Sequence, residues 1–327
     1  MLRGLAALAV ACYHLTNMGY LSGTWLQQAG SYGWLGVESF FVISGFVIPY
    51  SLLAATYDQS QFGRFLLRRI VRIDPPYLAS IALCMGLGYA AYAFGLGNAH
   101  EPDYSIGQVA AHLGYANNFL GYRQINRVFW TLGIEFQFYI LIGLAHAVIM
   151  RCRWTVIGPT LVAGIVLDRW VRTTYINPEH VIAHWVPLFL MGIAVAAFRW
   201  ELISRNRLLA QLGVYAAAAV IELSWPVAAV ALGSALLIAF MPMLSAAPLD
   251  WLGRISYSLY LVHSPVGERL MNLTHRFNPP AVVSLAIAMG LTLLFAWGFN
   301  VAIEEPARRW ARRVGQGASP APVPSAA

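Results

Sequence analysis

Apolar residues run along this chain in long blocks, separated by short polar or arginine-rich interruptions. Blocks of such length predict membrane-crossing helices, each of which needs about 17–25 residues. Ten are predicted, over approximately 3–20, 33–55, 77–97, 130–150, 154–171, 181–199, 208–223, 225–244, 255–273 and 281–303. The seventh and eighth meet at Ser224-Trp225-Pro226, where the proline suits the first turn of a helix. The longest polar interruption, 98–129, is predicted to hold a re-entrant or surface helix around 106–120. From Gly315 the chain is rich in Ala, Pro, Ser and Gly. Residues 1–313 therefore read as one transmembrane domain and 314–327 as a disordered cytoplasmic tail. No repeat of fixed period is present. The expected fold is all-α: a polytopic integral membrane helical bundle of about ten transmembrane helices.

Composition supports this pattern. Hydrophobic residues make up 59% of the 327, charged residues 11%, and the mean hydropathy is +0.60. A soluble domain carries about 25% charged residues to face water, so an array of soluble domains is excluded. All 21 basic residues are arginine, and the net charge is +7. With the N-terminus placed inside, fifteen arginines fall in cytoplasmic segments and six in outer ones. This is the positive-inside distribution, with both termini cytoplasmic in the inner membrane. The excess charge is thus assigned to anionic lipid headgroups, and nucleic acid is not expected as a partner. Cys12, Cys84 and Cys152 are far apart and give neither a zinc spacing nor a disulfide framework. Tyr13, His14 and Asn17 interrupt the apolar N-terminus, which reads as a retained first span and not a cleaved signal.

An ionisable residue inside a span is costly, and so is a candidate for function. The candidates are His14, Glu38, Glu135, His146, His184, Glu222, His263 and Glu304. Arg3 and His14 are eleven residues apart, about 20° beyond three full helical turns and roughly 16 Å along the axis. They share one helix face, with Arg3 toward the cytoplasm. Glu135 enters its span from the opposite side. It is expected at a depth close to that of His14, where a carboxylate would orient the imidazole as a general base. Buried His and Glu also suit a proton-coupled transporter or exporter, the competing reading.

Five segments in order resemble the membrane-bound acyltransferase family 3. Arg3-Gly4-Leu5 leading to His14 is similar to its Arg-x10-His motif, and Gly33-Trp34-Leu35-Gly36-Val37-Glu38-Ser39-Phe40-Phe41 to its Gly-x-Leu-Gly-Val-Asp-x-Phe-Phe stretch. Arg68-Arg69-Ile70-Val71-Arg72 leading to Tyr77 resembles its basic loop. Trp130-Thr131-Leu132-Gly133-Ile134-Glu135 followed by Phe138-Tyr139 resembles Trp-Ser-Leu-x-x-Glu-x-x-Phe-Tyr. Gly253-Arg254-Ile255-Ser256-Tyr257 leading to Tyr260-Leu261-Val262-His263 resembles its late motif. Glu38 stands for the usual aspartate, and Phe136 stands where many members have a second glutamate.

The resemblance implies transfer of an acyl group, usually acetyl, to a hydroxyl of a glycan or other small acceptor. Acyl-CoA, in the simplest case acetyl-CoA, would be a co-substrate, with no bound cofactor and no metal. It implies His14, Glu135 and Arg3 as catalytic residues. Arg68, Arg69 and Arg72 would hold the acyl-CoA phosphates, since arginine pairs bidentately with phosphate. Glu38, Trp130, Tyr139, Tyr257 and His263 are the acceptor-side candidates. The partners implied are acyl-CoA, a carbohydrate or small hydroxyl acceptor, and membrane lipids.

Overall fold

The computed structural model describes residues 1–95, 101–150, 154–174, 177–242 and 246–314. Arg151, Arg153 and the segment from Gly315 lie outside the described residues. Every described element is helical. The helices are α1 (Leu2–Thr16), α2 (Trp25–Gly30), α3 (Gly36–Ala54), α4 (Phe62–Ala93), α5 (Ile106–Leu113), α6 (Trp130–Ile149) and α7 (Trp154–Val171). They continue as α8 (Ile182–Arg199), α9 (Arg205–Glu222), α10 (Trp225–Phe240), α11 (Ala247–Val262), α12 (Glu268–His275), α13 (Ala281–Phe299) and α14 (Glu305–Arg313).

Among the described residues, five helical stretches are long and apolar enough to cross a membrane: Trp25–Ala54, Gln59–Ala93, Trp130–Ile149, Ile182–Arg199 and Ala281–Arg313. Leu2–Thr16 and Trp225–Phe240 are shorter apolar helices. α13 presents Val282, Ile287, Leu291, Leu294 and Trp297 outward, a surface suited to lipid and not to water.

Some boundaries differ from the sequence reading. The first helix ends at Thr16, with Asn17 capping it; its amide donates to the Tyr13 carbonyl. The arginine-rich segment 64–72, expected as a loop, is the first half of α4, which continues unbroken through Pro75-Pro76. These prolines remove two helical N–H donors. Beside them Tyr257 donates its hydroxyl to the Ile73 carbonyl at 3.0 Å.

Close helix packing sets the frame. Without a hydrophobic drive between helices in lipid, small residues let backbones approach. A Cβ on Gly4 would come within 2.7 Å of the Gly253 nitrogen, and one on Gly36 within 2.5 Å of the Ala6 carbonyl. So α1 is held tightly between α3 and α11. Gly4 lies against Leu252-Gly253 and His14 against His263, so α1 and α11 run parallel, nearly in register. Gly45 of α3 and Gly192 of α8 interlock; a Cβ on Gly192 would meet the Val42 carbonyl and, at 2.6 Å, the Phe46 nitrogen. Gly192→Ala is expected to destabilise the bundle by about 1–3 kcal/mol through overpacking. Gly213→Ala, where nothing lies within 4 Å, is expected to be neutral or mildly stabilising. Thermal unfolding of the two variants in detergent checks this.

The described part of the long polar interruption, 101–129, turns back into the bundle. Tyr104 lies beside Gly88, His112 beside Tyr77 and Tyr115 beside Asp74, so the chain descends along α4. The Tyr115 hydroxyl donates to Asp74 at 2.8 Å, and its ring stacks between Tyr77 and Phe136. His112 is fully buried; its Nε2 accepts from the Ile125 N–H at 3.2 Å, so Nδ1–H donates to the Tyr77 hydroxyl at 2.7 Å. Burial pushes this imidazole down to about 4, from 6.5. Between those values the unfolded segment binds the extra proton and the folded one does not. The staple's contribution is therefore complete above about pH 6.5 and lost as pH falls toward 4. Hydrogen exchange of residues 106–129, corrected for intrinsic rates, should show protection at pH 7.5 that falls at pH 5.

Candidate functional site: linked cavities and a histidine pair

Helix α14 packs on the first half of α4 and closes a cavity of about 590 Å³. Its lining includes Arg64, Arg68, Arg69 and Arg72 of α4 with Arg308 and Arg312 of α14, and among the described residues no carboxylate lines it. Six guanidinium groups around one space make an anion site. A narrower cavity of about 90 Å³ adjoins it, sharing Arg69, Arg72 and Arg308. Its lining also includes Arg3, Ser44, Glu135, Tyr139, Arg254, Tyr257 and Glu304. A third space of about 30 Å³ shares Arg3, Glu135, Ser256 and Tyr257 with the second and ends at Phe40, Thr131 and Tyr260. The three form a tapering path from the arginines toward the middle of the bundle.

Beyond its narrow end lie two histidines. The Tyr260 ring is 5.9 Å from that of His263, and the Tyr260 hydroxyl is 2.6 Å from that of Thr131. His263 is fully buried in the π-turn His263–Gly267 that follows α11. Its Nδ1 is 3.0 Å from the Leu259 carbonyl, and its Nε2 is 3.1 Å from Nδ1 of His14. His14 Nδ1 is also 3.0 Å from the Val10 carbonyl. A carbonyl only accepts, so His263 carries its proton on Nδ1. Its bare Nε2 then accepts from His14 Nδ1–H. Neutral His14 is left with an unprotonated Nε2 on a half-buried ring, the form a general base requires.

The sequence-derived candidates separate into groups. Arg3 lines the second and third cavities, its guanidinium 5.8 Å from the Phe40 ring. Arg68 lines the wide cavity, and Arg69 and Arg72 stand at its junction with the second. Arg69 also donates to the Ser51 hydroxyl at 3.3 Å and lies 5.5 Å over the Tyr139 ring. Tyr257 and Tyr139 line the second cavity. Glu135 is in this group, accepting from the Ser44 hydroxyl at 3.1 Å, and not beside His14. The reason is depth. Thr131 already meets Tyr260, so Glu135, one turn further inward, is level with Tyr257, about 9 Å of helix below His263. The imidazole that orients His14 is His263, 249 residues away.

Trp130 does not line the path; it packs with Phe41, Trp185 and His180. Glu38 also stands off it, 2% exposed, with its Oε2 making no hydrogen bond among the described residues. Arg308, Arg312 and Tyr260 are among the lining residues that sequence reasoning missed. Their signals were the Arg-Arg-x-x-Arg-Arg run of 308–313 at helical spacing, and Tyr260 one turn before His263. Among the described residues, no group of three or more His, Cys, Asp or Glu is placed to hold a metal ion.

The family model described as an acyltransferase domain matches residues 1–301. The chain belongs to this acyltransferase family. A protein named as an acyltransferase, MdmB of Streptomyces mycarofaciens, is 25% identical over 360 aligned residues, covering 94% of this chain and 90% of the relative. A protein described as a candidate acetyltransferase of Acidianus two-tailed virus is 27% identical over 208 residues, covering 62% of this chain and 55% of the relative. One described as a candidate O-acetyltransferase of Staphylococcus aureus strain COL is 34% identical over 152 residues, covering 42% and 22% respectively. The chain thus spans about half of the viral relative and under a quarter of the staphylococcal one. No solved structure matches. The family match includes both histidines and the α4 arginines, but ends before α14, whose Arg308 and Arg312 complete the wide cavity.

Proposed function

We propose that this acyltransferase-family protein transfers an acyl group, most simply acetyl, from acyl-CoA to a hydroxyl of a glycan or other small acceptor. The single observation that carries the reading is the tapering path that leads from a six-arginine cavity and ends at Tyr260, whose ring neighbours the His263–His14 pair. The path's taper follows the order of an acyl-CoA's parts, from charged end to thin arm. The phosphorylated end of the donor fits the wide cavity. The thin pantetheine arm fits the second, past Arg3 and Glu135, and the thioester points toward Tyr260 and the histidine pair.

The acceptor hydroxyl gives its proton to His14 Nε2 as its oxygen attacks the thioester carbonyl. The C–S bond then breaks, the new ester forms, and the CoA thiolate takes the proton back from His14. An acyl group carried first on His14 Nε2 is the ping-pong variant of the same chemistry. His263 holds the His14 tautomer, and Glu135 and Arg3 shape the passage below. Arg3, Arg254, Arg308 and the α4 arginines gather at one end of the bundle. That end is the cytoplasmic one by the positive-inside rule, in the inner membrane, where acyl-CoA is found. Both termini lie on that side, with about ten crossings in all.

The test is release of free CoA thiol from acetyl-CoA by purified protein in detergent, with and without a membrane extract as acceptor source. Extract-dependent thiol release is expected. Transport of an extract component by reconstituted vesicles without any thiol release would replace this reading with the exporter.

A further inference from the structure

The end of the chain carries an arrangement that binding by α4 alone does not require. α13 widens at Phe299 into the π-turn Asn300–Glu304 before α14 begins. Such turns insert a residue into a helix and frequently accompany functional sites. Glu304 is 5% exposed. Its Oε2 accepts from the Ser258 N–H at 3.1 Å, the Ser258 hydroxyl at 2.6 Å and the Asn300 amide at 2.7 Å. The Asn300 amide also donates to the Arg254 carbonyl at 3.1 Å, so both residues are tied to α11. Glu304 Oε1 faces Arg308 Nε at 3.7 Å, and Arg308 Nη2 donates to Asn300 Oδ1 at 3.4 Å.

Arg308 is the α14 residue that lines both the wide and the second cavity. Its contacts to Glu304 and Asn300 fall on Nε and Nη2, which leaves the Nη1 corner for the cavities. Free arginine side chains have high rotamer freedom, and an anchored fork loses less on binding. In an acyl-CoA the diphosphate separates the adenosine end from the pantetheine arm, so it belongs where wide cavity gives way to narrow. We propose that Glu304, with Asn300, is a positioning residue that holds Arg308 as a clamp on the donor's diphosphate. The proposal rests on the acyl-CoA reading.

The experiment is calorimetric binding of coenzyme A, 3′-dephospho-coenzyme A and pantetheine to the purified full chain in detergent. Coenzyme A is expected to bind the native protein at least about 100-fold more tightly than pantetheine, as charge-assisted phosphate contacts require. Equal binding would overturn the donor reading itself, whatever Glu304 does. Glu304→Gln is expected to weaken coenzyme A and its 3′-dephospho form alike, by about tenfold, and to leave pantetheine unchanged. Arg308→Ala should do the same, and the double variant should be no weaker than Arg308→Ala alone. A Glu304→Gln protein that melts earlier but keeps the native ratio of coenzyme A to pantetheine affinity would overturn the assignment. So would a loss confined to coenzyme A, since the clamp would then not be on the diphosphate. Should Glu304→Gln fail to fold, Asn300→Ala spares the Ser258 bonds and removes the Nη2 acceptor. It is expected to narrow the same ratio about threefold, and an unchanged ratio would equally overturn the proposal.

Discussion

Replacing His14 by alanine is expected to lower acyl transfer by about 10³-fold while coenzyme A binding stays within about twofold of native. General-base catalysis contributes typically 10²–10⁴-fold, and His14 Nε2 is the proposed base, left bare by the hydrogen bonds at Nδ1. The six arginines that would hold the donor are untouched by this change. Loss should therefore fall on kcat and not on donor affinity. His263→Ala should act in the same direction but more weakly, by about 10–100-fold. It removes the acceptor for His14 Nδ1–H, yet the Val10 carbonyl remains to hold that proton. Single-turnover rates with saturating acetyl-CoA, beside calorimetric coenzyme A affinity, separate the two effects. A His14→Ala enzyme with native turnover would remove the base assignment.

The second large effect is expected at the junction of the wide and second cavities. Arg69 and Arg72 line both spaces, and each hydrogen bond to a charged partner contributes about 1.5–3 kcal/mol. Arg69→Ala combined with Arg72→Ala should weaken coenzyme A binding by at least about 100-fold and flatten its salt dependence. Turnover at saturating donor should fall far less. Arg309→Ala on the exposed face of α14 is the control and should bind coenzyme A as the native protein does. Lysine at 69 and 72 should restore only part of the affinity, because a point charge lacks the planar fork. A comparable loss per charge removed in Arg309→Ala, with full affinity restored by lysine at 69 and 72, would point to net charge alone and away from a built phosphate site.

The parts of this account that were legible in the sequence are those set by short range. Arg3 and His14 do share α1, because fifteen residues of helix run without a break and the spacing closes three turns. The arginines of α4 do line one cavity. Depth and long-range pairing were not legible. Glu135 was expected beside His14 because both were counted inward from their membrane faces, whereas α6 begins already level with Tyr260. The partner of His14 comes from α11 at the other end of the chain, and hydrophobic blocks carry no record of which helices touch. The basic run before Pro75-Pro76 read as a loop, because prolines usually end a helix. Here α4 continues through them, with Tyr257 bonded to the carbonyl of Ile73. The arginines of α14 read as topology charges until that helix was seen folded back on α4.

The most direct measurement is mass spectrometry of envelope glycans and small metabolites from cells that carry the protein, lack it, or carry His14→Ala. A hydroxyl-linked acyl mass present only with the native protein is the predicted result, and it would identify the acceptor. An acyl profile identical in all three, with a metabolite retained inside the cells lacking the protein, would contradict the account and favour export.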